Sequence, residues 1–328
     1  MSFFPTLNMT ETVERLSSLR QPVVLMHRHP DGDTVGSAVA LMHVLKEMGA
    51  SPIGLCADPM PERLSFLAKA FPIYTALPDG KHDIVAVDVP SVQQMGELGP
   101  VLVGEHAPLL MIDHHAIGSP FAPSLIDPSA AAAGELIYLL AEKALHMGLI
   151  KQIPAEAKTA LYAALSSDTG CFRYSNTTSR TLRIAAALLE DKAVDSAKIN
   201  HLLFEAKSER QLLAEAYAIE HTKTTNGGKI AWVTITQGER LALGVEEEHL
   251  DTVIDMVRSR IGVEIAFFIR ESKDGSFKAS LRSSGFNVAE VASTFSGGGH
   301  VRAAGCTITA SDIDAAVKAL LDAILKRI

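Results

Sequence analysis

The sequence predicts an α/β protein in two parts: a parallel-sheet domain with flanking helices, then a smaller α+β domain, joined by a helical linker. Three observations predict it. In the first half, short apolar runs alternate with amphipathic stretches, the pattern of strands joined by crossover helices. Beyond about residue 222 that simple alternation stops. The length, 328 residues, suits two domains at roughly 100–200 residues each.

Val23-Val24-Leu25-Met26 reads as a buried strand, followed by a helix over 36–48 that Gly49 ends. Residues 52–56 form a second, weaker strand, 83–87 a third and 109–112 a fourth. Helices are expected over 130–147, 154–166 and 178–190, the second opening with Pro154 in its first turn. The alanine run at 130–133 is helix composition. Residues 191–222 are helical and charged, without strand signals. Asn226-Gly227-Gly228 then turns into strands at 230–236, 263–270 and 277–282. A helix over 287–294, the turn Gly297-Gly298-Gly299, a strand over 304–308 and a helix from about 312 complete the chain. The expected division is a first domain over 1–190, a linker over 191–222 and a second domain over 223–328.

Composition narrows the function. Apolar residues make up 47% of the chain and charged residues 21%, enough for filled cores and against wholesale disorder. The formal charge of −8 leaves no polybasic footprint for a long duplex or a membrane surface. The longest uncharged stretches, 34–45 and 114–126, fall short of the ~20 residues of a membrane helix. The first residues have no basic flank or long apolar core, and the three cysteines contain no CxxC pair. A cytoplasmic, reducing setting is expected, and a homodimer is left open.

The informative residues stand where the first-half elements end. After the first strand come His27 and, four residues on, Asp31-Gly32-Asp33; after the third comes Asp88; after the fourth, Asp113-His114-His115; after the 154–166 helix, Asp168. Open α/β sheets bind ligands at the carboxyl ends of their strands, so four segments would bring Asp and His to one edge. Any one of these aspartates alone is more often a helix cap or turn residue than a ligand. Together, the carboxylates would repel one another unless a cation lay between them. Carboxylate with imidazole suits a divalent ion such as Mn²⁺. Asp31 and Asp33 could diverge toward two ions ~3.5–4 Å apart, with Asp88 bridging, an arrangement suited to hydroxide attack on a phosphoryl group. Asp113 is expected to orient a ligand imidazole. Arg173, in the stretch Arg173-Tyr174-Ser175-Asn176-Thr177, could recognise a nucleotide or simply belong to a capping loop. In the second domain, Arg282, Ser283, Gly298, Gly299 and His300 suggest a phosphate site.

In order and spacing, His27-x-x-x-Asp31-x-Asp33, Asp88, Asp113-His114-His115 and Asp168 resemble the four motifs of the DHH phosphoesterase superfamily. The run Leu281-Arg282-Ser283-Ser284, Gly297-Gly298-Gly299-His300 and Ala303-Ala304-Gly305 resembles the DHH-associated domain. The compact length, with Asp168-Thr169-Gly170 and Phe172-Arg173-Tyr174, is similar to the NrnA-type branch, which degrades very short RNAs and removes the 3′-phosphate of pAp. The resemblance implies one metal on His27, Asp31 and Asp88 and another on Asp33, Asp88, His114 and Asp168. His115 would face the scissile phosphate, while Arg282, Gly298, Gly299 and His300 would hold the distal phosphate and sugar. His29 is outside the family's ligand positions and reads as a turn residue. The favoured expectation is a Mn²⁺-dependent phosphoesterase for short oligoribonucleotides and pAp. The alternatives are a linear or cyclic dinucleotide phosphodiesterase, a family II-like pyrophosphatase and a non-catalytic nucleotide sensor.

Overall fold

The computed structural model describes residues 4–103 and 107–328. The chain divides into two units, one ending at Ala206 and the other beginning at Lys207. Among the described residues the first unit holds a six-stranded sheet in the order β3-β2-β1-β4-β5-β6. The strands are β1 (Val23–Leu25), β2 (Ile53–Leu55), β3 (Ile73–Tyr74), β4 (Ile84–Val87), β5 (Leu110–Asp113) and β6 (Ser124–Ile126). Every pairing is parallel.

Short apolar runs suffice here because both faces are covered. Val24, Val85, Val87 and Ile112 pack with the helices Met9–Ser18, Gly32–Glu47, Ala133–His146 and Ala155–Asp168. Their neighbours Val23, Leu25, Ile84, Ala86 and Met111 face the other way, against Met95, Leu98 and Leu102. This is the period-two alternation of a strand. Each such buried Val or Leu side chain contributes roughly 1.5–3 kcal/mol of transfer free energy.

The order reverses at β1, which pairs with β2 on one side and β4 on the other. That switch opens a crevice at the carboxyl ends of β1 and β4, where His27 and Asp88 follow. Across it, the Gly32–Glu47 helix lies very close to the Ala155–Asp168 helix. A Cβ at Gly36 would stand 2.5 Å from the Ala160 carbonyl oxygen, and one at Gly32 would stand 2.5 Å from Ser167 Oγ. Glycine at both positions is what brings Asp31 and Asp33 to the end of the helix that carries Asp168.

In this unit four expectations are corrected. The alanine run at 130–133 is not helix throughout: Ala132 is extended at the N-cap and the helix starts at Ala133. The sheet has β3 and β6 in addition to the four expected strands; these edge strands of two and three residues are too short to stand out as apolar runs. The helix expected from residue 36 begins at Gly32, because Asp31 caps it and covers its first amides. Asp168 is the last residue of its helix instead of lying in a turn beyond it.

The second unit is built on a mixed sheet in the order β11-β12-β10-β9-β8-β7, six-stranded among the described residues. Its strands are β7 (Lys223–Thr225), β8 (Ile230–Ile235), β9 (Ile265–Glu271), β10 (Phe277–Ser283), β11 (Gly298–His300) and β12 (Ala303–Ile308). β8 and β9 run parallel and the other pairs antiparallel. Phe267, Ile269, Phe277 and Leu281 pack with Val291 and Leu320 on one face, and Ala266 and Phe268 pack with Ala218 and Ile254 on the other. The glycine run expected as a turn is instead partly strand: Gly298 and Gly299 pair with Gly305 and Ala304. Of the helices within 191–222, Ser196–Asn200 falls in the first unit and Glu209–His221 in the second. No helix among the described residues is long and apolar enough to cross a membrane.

Candidate active site

Local folding fixes the first carboxylates. Asp31 turns its side chain back on the helix it starts, accepting from the Asp33 and Thr34 amides at 2.9 and 3.0 Å. Asp33 is fully buried. Its Oδ2 accepts from the Ala133 amide at 2.7 Å, and its Oδ1 from the Gly134 amide at 3.1 Å and Ser37 Oγ at 2.7 Å. The donor amides open the Ala133–His146 helix, whose N-terminus favours negative charge.

The imidazoles are aimed by their second nitrogens. Nδ1 of His27 lies 2.6 Å from the Arg28 carbonyl oxygen, which assigns it the proton and makes Nε2 the ligand atom. That Nε2 lies 3.7 Å from Asp31 Oδ1 and 3.6 Å from Asp88 Oδ2. His114 Nδ1 lies 3.2 Å from the Ala130 carbonyl oxygen. Its Nε2 is 3.6 Å from Asp33, 3.5 Å from Asp88 Oδ1 and 3.4 Å from Asp168. His115 differs, since its Nδ1 bonds the buried Asp113 carboxylate at 2.8 Å. Asp113 also accepts from the His114 amide at 2.9 Å, so it holds the whole turn.

Potential ligand atoms thus gather in overlapping groups: His27, Asp31 and Asp88; Asp33, His114 and Asp168; and Asp88, His114 and His115, each within 4.8 Å. The six residues expected to ligate metal stand together, and Asp88 is common to two groups. A backbone bend places Asp88 there. It takes a positive φ of 60°, uncommon for a residue with a side chain, directly after β4, while its amide bonds the Ile112 carbonyl.

Charge in this crevice is unbalanced without a cation. Burial, and then repulsion from Asp88, push Asp33 up to about 7. Burial, then Asp33, Asp31 and Asp88, push Asp168 well above the ordinary carboxylate range. Burial disfavours the charge on His27, but Asp31 and Asp88 outweigh it and hold the imidazole up to about 12. Burial also opposes the charge on His115, which Asp113 raises above the ordinary value. Asp88 Oδ1 is buried with no hydrogen-bond partner, a costly state for a carboxylate oxygen. Oxygen and nitrogen donors around an orphaned carboxylate fit a divalent ion, which would supply the missing charge. These acidic and imidazole groups could hold a metal.

Other expected residues divide. Arg173 is exposed, and its Nε donates to the Gly170 carbonyl at 2.6 Å. The nearby Asn176 amide is occupied within the protein, donating to the carbonyls of Ala131 and Asp168 at 3.1 Å each. In the second unit Arg282 is partly exposed, with Nη1 on the Leu281 carbonyl and Nε 4.0 Å from Asp255. Ser283 is buried and its hydroxyl donates to the Phe286 carbonyl, a contact that supports the strand end. A Cβ at Gly298 would meet nothing, whereas Gly299 has a φ of 140° and lies against the Ala303 carbonyl. The expectation for the His300 side chain falls outside the described residues. His29 is a turn residue with positive φ, braced by Asp58 through its amide at 2.7 Å. Sequence reading missed the Ala133 and Gly134 amides and Ser37. Backbone donors carry no mark in residue type, and a serine one turn along a helix is unremarkable by itself.

Residues 21–165 match the N-terminal domain of the DHH family, and residues 227–326 match the DHHA1 domain. The chain belongs to the DHH family. It is 30% identical to the bifunctional oligoribonuclease and PAP phosphatase NrnA of Thermus thermophilus, over 95% of this chain and 91% of that one. The Bacillus subtilis protein of the same name is 27% identical, over 88% and 90% of the two chains. An exopolyphosphatase-related protein from Bacteroides fragilis has the same fold, with a TM-score of 0.87 and 23% identity over 97% and 95% of the chains. Its long relatives place the chain in the NrnA-type branch, as a hydrolytic phosphoesterase.

Proposed function

We propose that this protein hydrolyses short oligoribonucleotides and removes the 3′-phosphate of pAp, with two divalent ions, most suitably Mn²⁺. Support for the activity comes from the NrnA oligoribonucleases and PAP phosphatases to which nearly the whole chain is similar. The observation that carries the metal reading is Asp88, whose Oδ2 faces His27 while its Oδ1 faces His114. His27, Asp31 and Asp88 would hold one ion, and Asp33, Asp88, His114 and Asp168 the other. When bound, such ions supply Lewis-acid stabilisation of phosphoryl charge and lower the pKa of water.

The chain's own groups do the rest. The Arg28 and Ala130 carbonyls keep the ring protons of His27 and His114 on Nδ1, so that both present Nε2. Asp113 orients His115 and favours its charged form, so that Nε2 of this imidazolium can give a proton to the leaving oxygen. Arg282 and the backbone of Gly298 and Gly299 are assigned to substrate phosphate and sugar, and Arg173 to the nucleotide. The net charge of −8 disfavours long polyanions. Free cysteines fit a reducing, cytoplasmic setting.

A substrate panel tests the proposal: pAp, pApA, pGpG, RNA of increasing length and pyrophosphate, with and without chelator. Phosphate release from pAp, falling activity with RNA length, loss on chelation and recovery with Mn²⁺ are expected. Turnover confined to linear dinucleotides would favour the second reading, to which the 27% identical cyclic-di-AMP phosphodiesterase PdeA of Listeria monocytogenes lends support. This chain spans 48% of that relative.

A further inference from the structure

We infer that Glu135, Arg180 and Asn176 are positioning residues that hold one of the two groups of metal-ligating side chains through a single backbone segment, 130–135. The inference rests on the proposed assignment of Asp33, His114 and Asp168 as ligands.

The alanine-rich segment is tied to all three. The Ala130 carbonyl lies 3.2 Å from Nδ1 of His114. Ala133 and Gly134 donate their amides to Asp33 at 2.7 and 3.1 Å. The Ala131 carbonyl accepts from Asn176 Nδ2, which also donates to the carbonyl of Asp168 itself. His27 and Asp31, by contrast, are oriented by Arg28 and by their own helix start. A shift of this segment would therefore displace the Asp33–His114–Asp168 group and leave the other largely in place.

Alanine and glycine side chains cannot fix a segment against movement by their own polar contacts. Glu135 does so. Its carboxylate is wholly buried, with Oε2 accepting from Arg180 Nε at 2.7 Å and Oε1 from Thr181 Oγ1 at 2.5 Å. Arg180 also reaches Asp127, which follows β6, at 3.1 Å. Glu135 and Asp33 place two carboxylates at one helix N-terminus, and the Arg180 guanidinium offsets that charge. Removing Arg180 would leave the buried Glu135 charge uncompensated beside Asp33 at the same helix start, and the segment would rearrange to relieve it.

The test is a titration of chelator-treated protein with Mn²⁺, read by calorimetry and by the electron paramagnetic resonance spectrum of bound Mn²⁺. Arg180→Met should weaken Mn²⁺ binding about tenfold or more, the size typical of losing an outer partner of a metal ligand. Arg180→Lys, which keeps the charge, should recover part of it. Asn176→Ala, at an exposed position, should weaken binding in the same sense without touching the buried ion pair. A purely structural role would lower the melting temperature of the variants and leave their Mn²⁺ isotherm and spectrum as in the wild type. That result, in either Arg180→Met or Asn176→Ala, overturns the inference while the metal reading stands. A wild-type protein that binds no Mn²⁺ overturns both.

Discussion

Asp33, Asp88 and Asp113 of the first unit are between 0% and 2% exposed, whereas the Arg282 and Lys278 side chains of the second keep 31% and 51% of their surface in water. The first unit brings its groups from four separated segments and takes the Asp33, Asp88 and Asp113 carboxylates out of solvent, while Asp31 and Asp168 keep 45% and 28% of their side-chain surface. Each buried carboxylate then needs an amide, an imidazole or a cation. The second sets its cations along one strand, where Arg282 donates to the Leu281 carbonyl and lies 4.0 Å from Asp255, and Lys278 lies 4.0 Å from Glu247. Surface pairs of that kind are worth little and are easily exchanged for a ligand. Changes in the first unit should therefore act on chemistry and changes in the second on affinity.

The largest effect belongs to Asp33→Asn, which keeps the shape and loses the charge. Mn²⁺-stimulated hydrolysis of pAp should fall by about 10²-fold or more, by analogy with the loss of a group aimed at transition-state charge. Comparable turnover in this variant would break the contrast at its strongest point. Asp113→Asn should lower kcat by roughly 10–100-fold through the orientation of His115, with a smaller loss of Mn²⁺ affinity through the His114 amide that Asp113 also holds. With Asp113 neutral, the His115 pKa falls, and the alkaline limb of the rate profile should move to lower pH; an unmoved limb would remove His115 as the proton donor. Arg282→Ala should raise KM for pAp about tenfold with kcat nearly kept, the size of one charge-assisted contact. Ser283→Ala is its partner experiment, expected to cost about 1–3 kcal/mol in urea unfolding and to leave KM alone.

The smallest effect is one of stability. Burial and Asp88 raise the pKa of Asp33 to about 7, so the folded metal-free chain holds that proton more tightly than the unfolded chain does. Stability is then present at low pH and is lost as pH climbs from the ordinary carboxylate range toward about 7. His27, raised to about 12 by Asp31 and Asp88 against the opposing effect of burial, extends the decline above its own ordinary value. Chelator-treated protein should melt at lower temperature at pH 8 than at pH 5, with a shallower slope in Asp33→Asn. Mn²⁺ should raise the melting temperature more at pH 8. Equal slopes in the two proteins would take the charge imbalance away from Asp33.

Much of the site could be read along the chain because strand ends and turn residues are local features. Val23-Val24-Leu25-Met26 before His27 is such a case, and so is Leu110-Met111-Ile112 before Asp113. The start of the Gly32–Glu47 helix lies four residues before the apolar period shows it, because Asp31 caps the helix from within the ligand motif. Ser283, expected among the phosphate contacts, is buried with its hydroxyl on the Phe286 carbonyl, a placement that residue type alone does not tell. Asn176 looked like a recognition amide, yet it is spent on two backbone carbonyls.

By itself the sequence determined the class of fold and the chemical kinds available, because hydrophobic period and turn chemistry act over a few residues. The tertiary structure decided which groups meet. Gly32 and Gly36 let two helices touch, Asp88 bends at a positive φ, and the amides of Ala133 and Gly134 reach Asp33 from a hundred residues away. Those contacts depend on backbone donors and close approach, which every sequence contains and only packing selects.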